Sequence, residues 1–388
     1  MRVELVFPKF KLLSGAERLI LNLGRGLASR GHRVRILCHR FDPTCLPLAD
    51  GLEIEETGIR LDRTGNHYLD SALTYLSTFR LKRLVARDAQ VVCLFGPALL
   101  LASGRFARGQ RIFYFCYEPP RAADIDRADV LARVGAWRWA LRPLLRGYVA
   151  VDRWLVGRVD GVLVAGRFAV ERILAAYGRR AWSISQGVSL PAGDGDRASA
   201  RPALGLGAEE AVAVSVGFLH PRKRIDLLLR SWAEVERQLA RARLLVVGDG
   251  PERDSLRRLA ATLGLARVRF CGFVAETELP SYYRAADLLV HVAREETFGL
   301  TILEAASFGV PAVVVDEGGP RYTVEQGETG LRVAATEPEI AAALLSLLGA
   351  PERSRRMGEE ARIRVARDFV WERGAEDFLA ACAALGVA

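Results

Sequence analysis

The feature that most constrains the fold is a series of short apolar runs in the second half of the chain, most of which end at a glycine. The clearest runs from Leu244 to Val247 and is followed at once by Gly248 and then by a helical pattern through Leu256 and Leu259. Four other runs share this form: Ala211 to Val216, Val268 to Phe270, Leu288 to Val290 and Ala312 to Val315. Such a run is typical of a strand buried on both faces. Alternating with helical patterns, they predict an α/β domain whose parallel sheet carries helices on both faces.

Ligands of such sheets bind beyond the carboxyl ends of the strands. Residues 294–305 follow one predicted strand and place Glu296 and Glu304 on either side of a turn that leads into a helix. The helix N-terminus suits a diphosphate, and the two carboxylates can lie about 6 to about 19 Å apart, a span that fits a sugar and a ribose. Taken alone, the stretch is equally consistent with a surface helix that has an acidic first turn. Four glycines and a lysine are expected to line the same crevice: Gly217, Gly248, Gly299, Gly319 and Lys223.

The order of motifs resembles that of retaining glycosyltransferases of family 4. The resemblance covers nearly the whole chain and is densest over residues 216–333. It rests on these segments: 216–229, 244–252, 270–274, 282–288, the Glu-x7-Glu stretch and 309–320. It implies the GT-B architecture, in which two Rossmann-like domains with parallel sheets face each other across a cleft. It also implies transfer of a sugar from a nucleotide donor to an acceptor hydroxyl, with retention and without a bound metal.

The resemblance assigns roles to individual residues. Lys223 is similar to the lysine whose ammonium lies on the donor diphosphate, Glu304 to the glutamate that accepts from the ribose hydroxyls, and Glu296 to the glutamate beside the transferred sugar. The remaining donor contacts are expected from backbone N–H groups and close-approach glycines: Phe298, Gly299, Leu300, Gly15, Gly217 and Gly248. For Lys223, a solvated basic run is the alternative interpretation, because arginines flank it.

Two departures from the family pattern affect the donor side. Phe218 stands where the family usually has an arginine, so one of the two cations expected on the diphosphate is missing. Either Arg222 replaces it or the donor is bound less tightly. Near the N-terminus, Ser14 replaces the first glycine of a Gly-Gly-x-Glu motif, while Gly15 is retained and lets the backbone approach a phosphate.

The acceptor side is predicted from residues 114–121, which resemble the family's Cys-His-x-Pro-Pro-Arg stretch. Tyr117 stands where many members have a histidine, so no general base is assigned there. Glu118 and Arg121 are the predicted acceptor contacts. The alternative is that the double proline only shapes a loop.

Length and composition fit two domains, since 388 residues of which 50% are hydrophobic can form two cores. We predict an acceptor-binding domain over residues 1–190, a linker over 191–202 and a nucleotide-sugar-binding domain over 203–370. By resemblance, a last helix over about 371–388 packs back onto the first domain. The six cysteines are scattered without a Cys-x-x-Cys pair, and Asp124-Ile125-Asp126 follows a proline loop, so no metal site is predicted.

The net charge of +9 is unevenly shared, with +13 in residues 1–190 and −4 in the remainder. Residues 133–158 interleave arginines with tryptophans and leucines, a composition suited to an anionic membrane surface. A core helix with snorkelling arginines explains the pattern equally well. No apolar stretch is long enough to span a membrane and no signal peptide is visible, so we expect a cytoplasmic protein, with peripheral attachment at the inner face of the plasma membrane left open.

The sequence therefore predicts a hexosyltransferase, of mannose or a related sugar, that uses a GDP- or UDP-sugar and builds surface polysaccharide, lipopolysaccharide or glycolipid. The acceptor is expected to be a glycan or a lipid-linked glycan. A catalytically silent protein of the same fold, which binds nucleotide sugar or an assembly partner, is the alternative. A nucleic-acid binder is disfavoured, because no recognition motif accompanies the basic charge.

Overall fold

The structure is a computed structural model of the chain. It describes residues 1–10, 15–59, 74, 76–104, 106–117, 138–191 and 197–387. The chain divides into two compact units, of which the first comprises Met1–Gln186 with Trp371–Ala388 and the second Gly187–Val370.

The first unit is built on a parallel sheet. Among the described residues its seven strands are β1 (Arg2–Val6), β2 (Arg33–Cys38), β3 (Glu53–Glu56), β4 (Val91–Phe95), β5 (Arg111–Cys116), β6 (Gly161–Ala165) and β7 (Trp182–Ile184). Their order is β3-β2-β1-β4-β5-β6-β7, and every pairing is parallel. Successive residues of β1 enter opposite cores, since Leu5 packs on one face of the sheet and Val6 on the other.

Among the described residues, the α-helices of this unit that precede the second unit in sequence are α1 (Gly15–Ala28), α2 (Arg138–Gly157) and α3 (Gly166–Tyr177). Short 3₁₀ helices span Pro43–Leu48, Thr78–Arg83 and Gly96–Ser103. In α1, Leu19, Leu23 and Leu27 recur at the spacing of a buried helical stripe and are buried against the sheet.

The second unit repeats the design. Its described strands are β8 (Ala211–Val216), β9 (Ala242–Val247), β10 (Val268–Gly272), β11 (Leu288–His291), β12 (Ala312–Val315) and β13 (Gly330–Val333), in the order β10-β9-β8-β11-β12-β13. All pairings between them are parallel. The prediction of parallel α/β sheets is thus confirmed. The prediction missed β13, a four-residue strand only partly buried beyond its first residue.

Helices cover both faces of the second sheet. They are α4 (Arg197–Ala203), α5 (Ile225–Gln238), α6 (Arg253–Thr262), α7 (Leu279–Ala285), α8 (Leu300–Ser307), α9 (Pro320–Thr323), α10 (Glu337–Leu348) and α11 (Pro351–Asp368). All but the last residue of helix α4 lie within the range 191–202, for which the sequence predicts a linker. Its Arg201 is 4% exposed and donates to Asp287 Oδ2 at 2.7 Å and to the carbonyl of Ala208 at 2.6 Å, which ties this segment to the second unit.

The last helix, α12 (Trp371–Ala384), packs within the first unit, against α1 and β7. A Cβ added at Gly26 of α1 would lie 2.9 Å from the Cβ of Ala375, so the glycine allows the two helices to approach closely. Asp377 accepts from the backbone N–H of Ser185 at 2.8 Å, and the ring of Phe378 lies 5.8 Å from that of Phe113.

Candidate functional site

The second sheet reverses its winding between β8 and β11, which are paired neighbours. In an open α/β sheet the loops that leave such a switch point diverge and form a crevice at the carboxyl ends of the strands. Gly217 follows β8 directly, and the loop that carries Glu296 follows β11. Topology alone therefore brings two segments that are distant in sequence to the same edge of the sheet.

Glycines allow the loops after β8 and β9 to cross. Gly217 donates its N–H to the carbonyl of Val247 at 2.9 Å, and Gly248 adopts φ 136°. A Cβ added at Gly248 would lie 1.9 Å from the carbonyl oxygen of Gly217, closer than any side-chain atom can approach. The two loops can therefore pack this closely only because residue 248 has no side chain.

The loop that carries Glu296 is held by a second pair of glycines. Gly319 donates its N–H to the carbonyl of Glu296 at 2.7 Å, and a Cβ added there would lie 2.2 Å from the carbonyl oxygen of Thr297. Gly318, with φ 67°, makes a similar approach to the Glu296 carbonyl. The loop after β12 thus fixes the backbone from which the Glu296 side chain projects.

Lys223 and Glu296 form an ion pair, with Nζ 2.6 Å from Oε2. Nε2 of His291, the last residue of β11, lies 3.6 Å from the same oxygen, which is beyond hydrogen-bond length, and finds no hydrogen-bond partner among the described residues. The imidazole is 4% exposed, and burial lowers its pKa, so His291 is neutral near pH 7. Burial also acts to raise the pKa of Glu296, but the charge of Lys223 and its short hydrogen bond outweigh that effect and hold the pKa well below its usual range. Glu296 is therefore a carboxylate at neutral pH.

The turn before α5 presents Lys223. Pro221–Lys223 forms a single 3₁₀ turn, in which Nδ1 of His220 accepts from the N–H of Arg222 at 3.3 Å. The carbonyl of Arg222 accepts from the N–H of Arg294 at 2.8 Å, which joins this turn to the loop after β11. Arg222, which precedes Lys223 in the sequence, is partly buried.

The predicted backbone donors lie at the start of α8. Gly299 is the N-cap with φ 87°, and Leu300 is the first helical residue, so N–H groups at this end have no acceptor within the helix. The side chain of Phe298 takes no part in this, because it is 8% exposed and packs edge-on against Phe369 with ring centroids 6.0 Å apart. Phe298 thus fixes the turn before α8 by packing against Phe369.

Glu304 lies one turn further along α8. Its Oε2 accepts from the hydroxyl of Tyr283 at 2.7 Å, and its carbonyl accepts from Oγ of Ser307 at 2.6 Å. Thus the two glutamates of the Glu-x7-Glu stretch have different partners, a lysine for Glu296 and a buried phenol for Glu304.

A cavity of about 880 Å³ opens at the carboxyl ends of β8, β9 and β10. Two exposed aromatic side chains line it, Phe218 at 61% and Phe273 at 78% exposed. Gly217, Gly248 and Asp249 form part of its wall. A cavity of this size accommodates a nucleotide-sized molecule, and flat apolar rings at its edge suit a base.

In the first unit, Gly15 begins α1 and Tyr117 follows β5. The phenol donates a long hydrogen bond of 3.4 Å to the carbonyl of Ala16, and its ring packs 5.0 Å from that of Phe115. Burial, reinforced by the charge of Glu17, raises the pKa of Tyr117 well above its usual range, so the group is a protonated donor and not a base at neutral pH. The structure therefore brings Tyr117 to the first turn of α1, close to Gly15.

The other acceptor predictions, Glu118 and Arg121, lie outside the described residues, as do Ser14 and Asp124-Ile125-Asp126. Among the residues that are described, no group of three His, Cys, Asp or Glu side chains is arranged to hold a metal ion. Within the same part of the chain, no helix combines the length and apolarity that a membrane span requires.

Sequence reasoning missed two residues of this region, His291 and Tyr283. A signal existed for His291, because it ends an otherwise apolar strand. Tyr283 belongs to the Tyr-Tyr-Arg-Ala-Ala-Asp segment that carries part of the family resemblance. Its spacing from Glu304 in the sequence did not predict the hydrogen bond between the two side chains.

Comparison with known proteins matches both halves of the chain. A family model described as Glycosyltransferase Family 4 matches residues 13–190, and one described as Glycosyl transferases group 1 matches residues 196–364. A D-inositol 3-phosphate glycosyltransferase of Rhodococcus erythropolis is 41% identical over 198 residues, which are 48% of this chain and 44% of the relative. The GDP-mannose-dependent alpha-(1-6)-phosphatidylinositol monomannoside mannosyltransferase of Mycobacterium tuberculosis is 30% identical over 313 residues, 76% of each chain. The match thus spans less than half the length of the first of these relatives.

Among solved structures, Anabaena Alr3699/HepE in complex with UDP and glucose superposes with a TM-score of 0.75 over 99% of both chains at 18% identity. This likeness concerns the fold. Two doubly wound parallel sheets, one of which carries a lysine–glutamate pair at its switch point, define a protein of the GT-B class. Since the family models match both halves and a relative is 30% identical across 76% of its length, the chain belongs to glycosyltransferase family 4.

Proposed function

We propose that this protein transfers a hexose, mannose or a related sugar, from a nucleotide-diphosphate sugar to an acceptor hydroxyl with retention at the anomeric carbon. The observation that carries the proposal is the Lys223–Glu296 pair at the switch point, 2.6 Å between Nζ and Oε2, beside a cavity of nucleotide size. It is supported by a family relative whose name states GDP-mannose dependence and by a fold relative solved with UDP and glucose. GDP- and UDP-sugars are therefore the donors to test.

In this proposal the second unit binds the donor. The base lies in the cavity edged by Phe218 and Phe273, the ribose hydroxyls bind Glu304, and the diphosphate lies against Lys223 and the N-terminus of α8. Arg222 is the proposed second cation, and Gly217 and Gly248 are the proposed positions where a phosphate approaches the backbone. Lys223, Arg222 and the N-terminus of α8 supply positive charge at the proposed diphosphate position, and we propose that no divalent metal is required.

The chemical step follows from the charge arrangement. The bond between the anomeric carbon and the diphosphate oxygen breaks, and the bond to the acceptor oxygen forms on the same face. The departing phosphate takes the acceptor proton, a role for which the protonated Tyr117 is unsuited. Lys223 stabilises the charge that develops on the leaving phosphate, and Glu296, anionic at neutral pH, steadies positive charge at the anomeric centre.

We propose that the first unit binds the acceptor, a glycan or lipid-linked glycan, through Tyr117, Glu118 and Arg121. Helix α2 supports a location at an anionic membrane surface, the inner face of the plasma membrane. Its Tyr148, Val151 and Trp154 are 48%, 52% and 51% exposed, and its Arg146 and Arg153 are exposed as well. Exposed apolar and cationic side chains on one helix favour a charged interface over burial.

Binding and turnover together test the proposal. Purified protein is titrated with GDP, UDP, ADP and dTDP and with their common sugar conjugates, with and without EDTA, and the thermal unfolding temperature is followed. A shift with one nucleoside diphosphate that persists in EDTA supports a metal-independent donor site and names the base. Hydrolysis of the matching nucleotide sugar, followed by mass spectrometry, then separates an active transferase from a silent binding protein. The absence of any shift would overturn the donor-site assignment.

A further inference from the structure

We infer that Tyr283 is a positioning residue that fixes the carboxylate of Glu304 for recognition of the donor's ribose hydroxyls. The inference rests on the proposed function, because it takes Glu304 as the group that meets the ribose. It adds a residue whose hydroxyl acts through Glu304 and makes the site selective for ribonucleotides.

The contact between the two side chains is direct. The hydroxyl of Tyr283, on α7, donates to Oε2 of Glu304, on α8, at 2.7 Å. Tyr283 is 2% exposed, whereas Glu304 is partly exposed. A buried phenol that donates to a carboxylate makes a charge-assisted hydrogen bond, one of the stronger kinds in proteins.

The phenol is itself held in place. Its ring stacks on that of Phe308, with centroids 5.7 Å apart and planes inclined by 25°, and the guanidinium of Arg284 lies 5.2 Å from the Phe308 centroid. Tyr283 also belongs to the apolar core that contains Leu289 and Ile302. Because a tyrosine side chain has two rotatable torsions and this ring is packed, the position of its oxygen is set by the core of the unit.

Fixing the Glu304 carboxylate in one orientation affects which nucleotides the site binds. A glutamate on a helix surface samples several rotamers, and a ligand that needs one of them must overcome that loss of freedom. A rigid donor on Oε2 restricts the carboxylate before the ligand arrives. Two neighbouring ribose hydroxyls, both donors, are the chemistry that a pre-oriented carboxylate recognises best. The hydrogen bond therefore favours ribonucleotides over nucleotides that lack these hydroxyls.

Calorimetry on the full chain tests this selectivity. Dissociation constants are measured for UDP, GDP and the 2′,3′-dideoxy form of each, and the preference is the ratio of the dideoxy to the ribo constant. Tyr283→Phe removes one oxygen and keeps the ring stacked on Phe308. It is expected to reduce the preference roughly 3- to 10-fold and to leave dideoxy binding within about twofold.

The matched control is Tyr282→Phe, the neighbouring phenol of α7, which interacts with Cys271 and not with Glu304. It is expected to keep the wild-type preference. A general loosening of the structure would weaken ribo and dideoxy forms alike, so the ratio separates positioning from a merely structural role.

A double-mutant cycle sharpens the assignment. In the Glu304→Gln background, Tyr283→Phe is expected to cause no further loss of preference, because the group it positions is already altered. An additive loss would overturn the inference, as would a wild-type preference in Tyr283→Phe itself, and both leave the donor site intact. If the wild-type protein binds ribonucleotides and dideoxynucleotides equally well, Glu304 does not recognise the ribose hydroxyls and the inference is wrong. If neither UDP nor GDP binds, the proposed donor site is wrong and so is the inference.

Discussion

Oε2 of Glu296 lies 2.6 Å from the ammonium of Lys223, although 73 residues of chain separate the two. Both side chains are about one-fifth exposed, so the pair is partly screened from water. The same ammonium is proposed to neutralise the donor diphosphate. Lys223 therefore has a negative partner within the protein itself, and the proposed donor would share its charge with the Glu296 carboxylate.

Acidification should expose the contribution of this pair to stability. The folded pKa of Glu296 is lower than its unfolded value, so its stabilisation is complete above the ordinary pKa of 4.5 and is lost as the pH falls below it. We expect Lys223→Met to lower the free energy of unfolding by about 1 to 3 kcal/mol at pH 7, and by clearly less at pH 3. Urea denaturation at both pH values measures this. An equal loss at pH 3 and pH 7 would show that packing, and not charge, links the two residues.

The diphosphate and the ribose should depend on different side chains. We expect Lys223→Ala to weaken nucleoside diphosphate binding about 10- to 100-fold and to affect the free nucleoside little, since its charge meets the phosphates. Glu304→Ala should weaken both. Calorimetric titration checks this. The control is Arg237→Ala, which removes an exposed ion pair with Glu234 on the surface of α5. Wild-type affinity in both variants would refute the site assignment.

Restoring the missing cation should tighten donor binding. Phe218 is exposed at the cavity edge, where the family usually has arginine. Phe218→Arg is expected to strengthen nucleoside diphosphate binding by about 1 to 3 kcal/mol, an effect that decreases at high salt. Phe218→Leu, which shortens the side chain without adding charge, is the comparison. A gain of the same size in both variants would mean that the phenyl ring merely obstructs the cavity.

The crossing of the loops after β8 and β9 should not tolerate a methyl group. Gly248→Ala places a Cβ 1.9 Å from the Gly217 carbonyl oxygen and is expected to destabilise the protein by about 2 to 4 kcal/mol. Gly264 also has a positive φ, 69°, but a Cβ there would meet no heavy atom within 4 Å. Gly264→Ala therefore isolates the backbone cost and should be milder by at least half. Chemical denaturation of the two variants measures the difference, and similar losses would indicate that the loops can separate.

The charge of the first unit predicts binding to anionic vesicles. We expect the protein to sediment with liposomes that contain an anionic lipid at low salt and to be released at high salt. Arg153→Glu on α2 should weaken this binding, whereas Arg355→Glu, the same charge change on exposed α11 of the second unit, should not. Equal sedimentation with neutral liposomes would remove the electrostatic argument.

Much of the fold could be predicted because buried parallel strands leave a strong local signal. The apolar runs that end at Gly217 and Gly248 are the strands β8 and β9, and the periodic leucines of residues 15–28 form α1. The signal fails where burial is partial, as in β13. It gave no sign of α4, where a proline-containing segment is helical and Arg201 forms an ion pair with distant Asp287.

The sequence by itself determined the fold class and the family, and it singled out Lys223, Glu296 and Glu304 as candidate site residues, because these inferences depend on residue order and local pattern. Only the tertiary structure decided which groups meet. It pairs Lys223 with Glu296, places neutral His291 beside them and gives Glu304 a buried phenol as its partner. Such contacts join segments that sequence separates by tens of residues, and they arise from the order of strands in the sheet and the packing of helices on it. Spacing along the chain carries no record of that geometry.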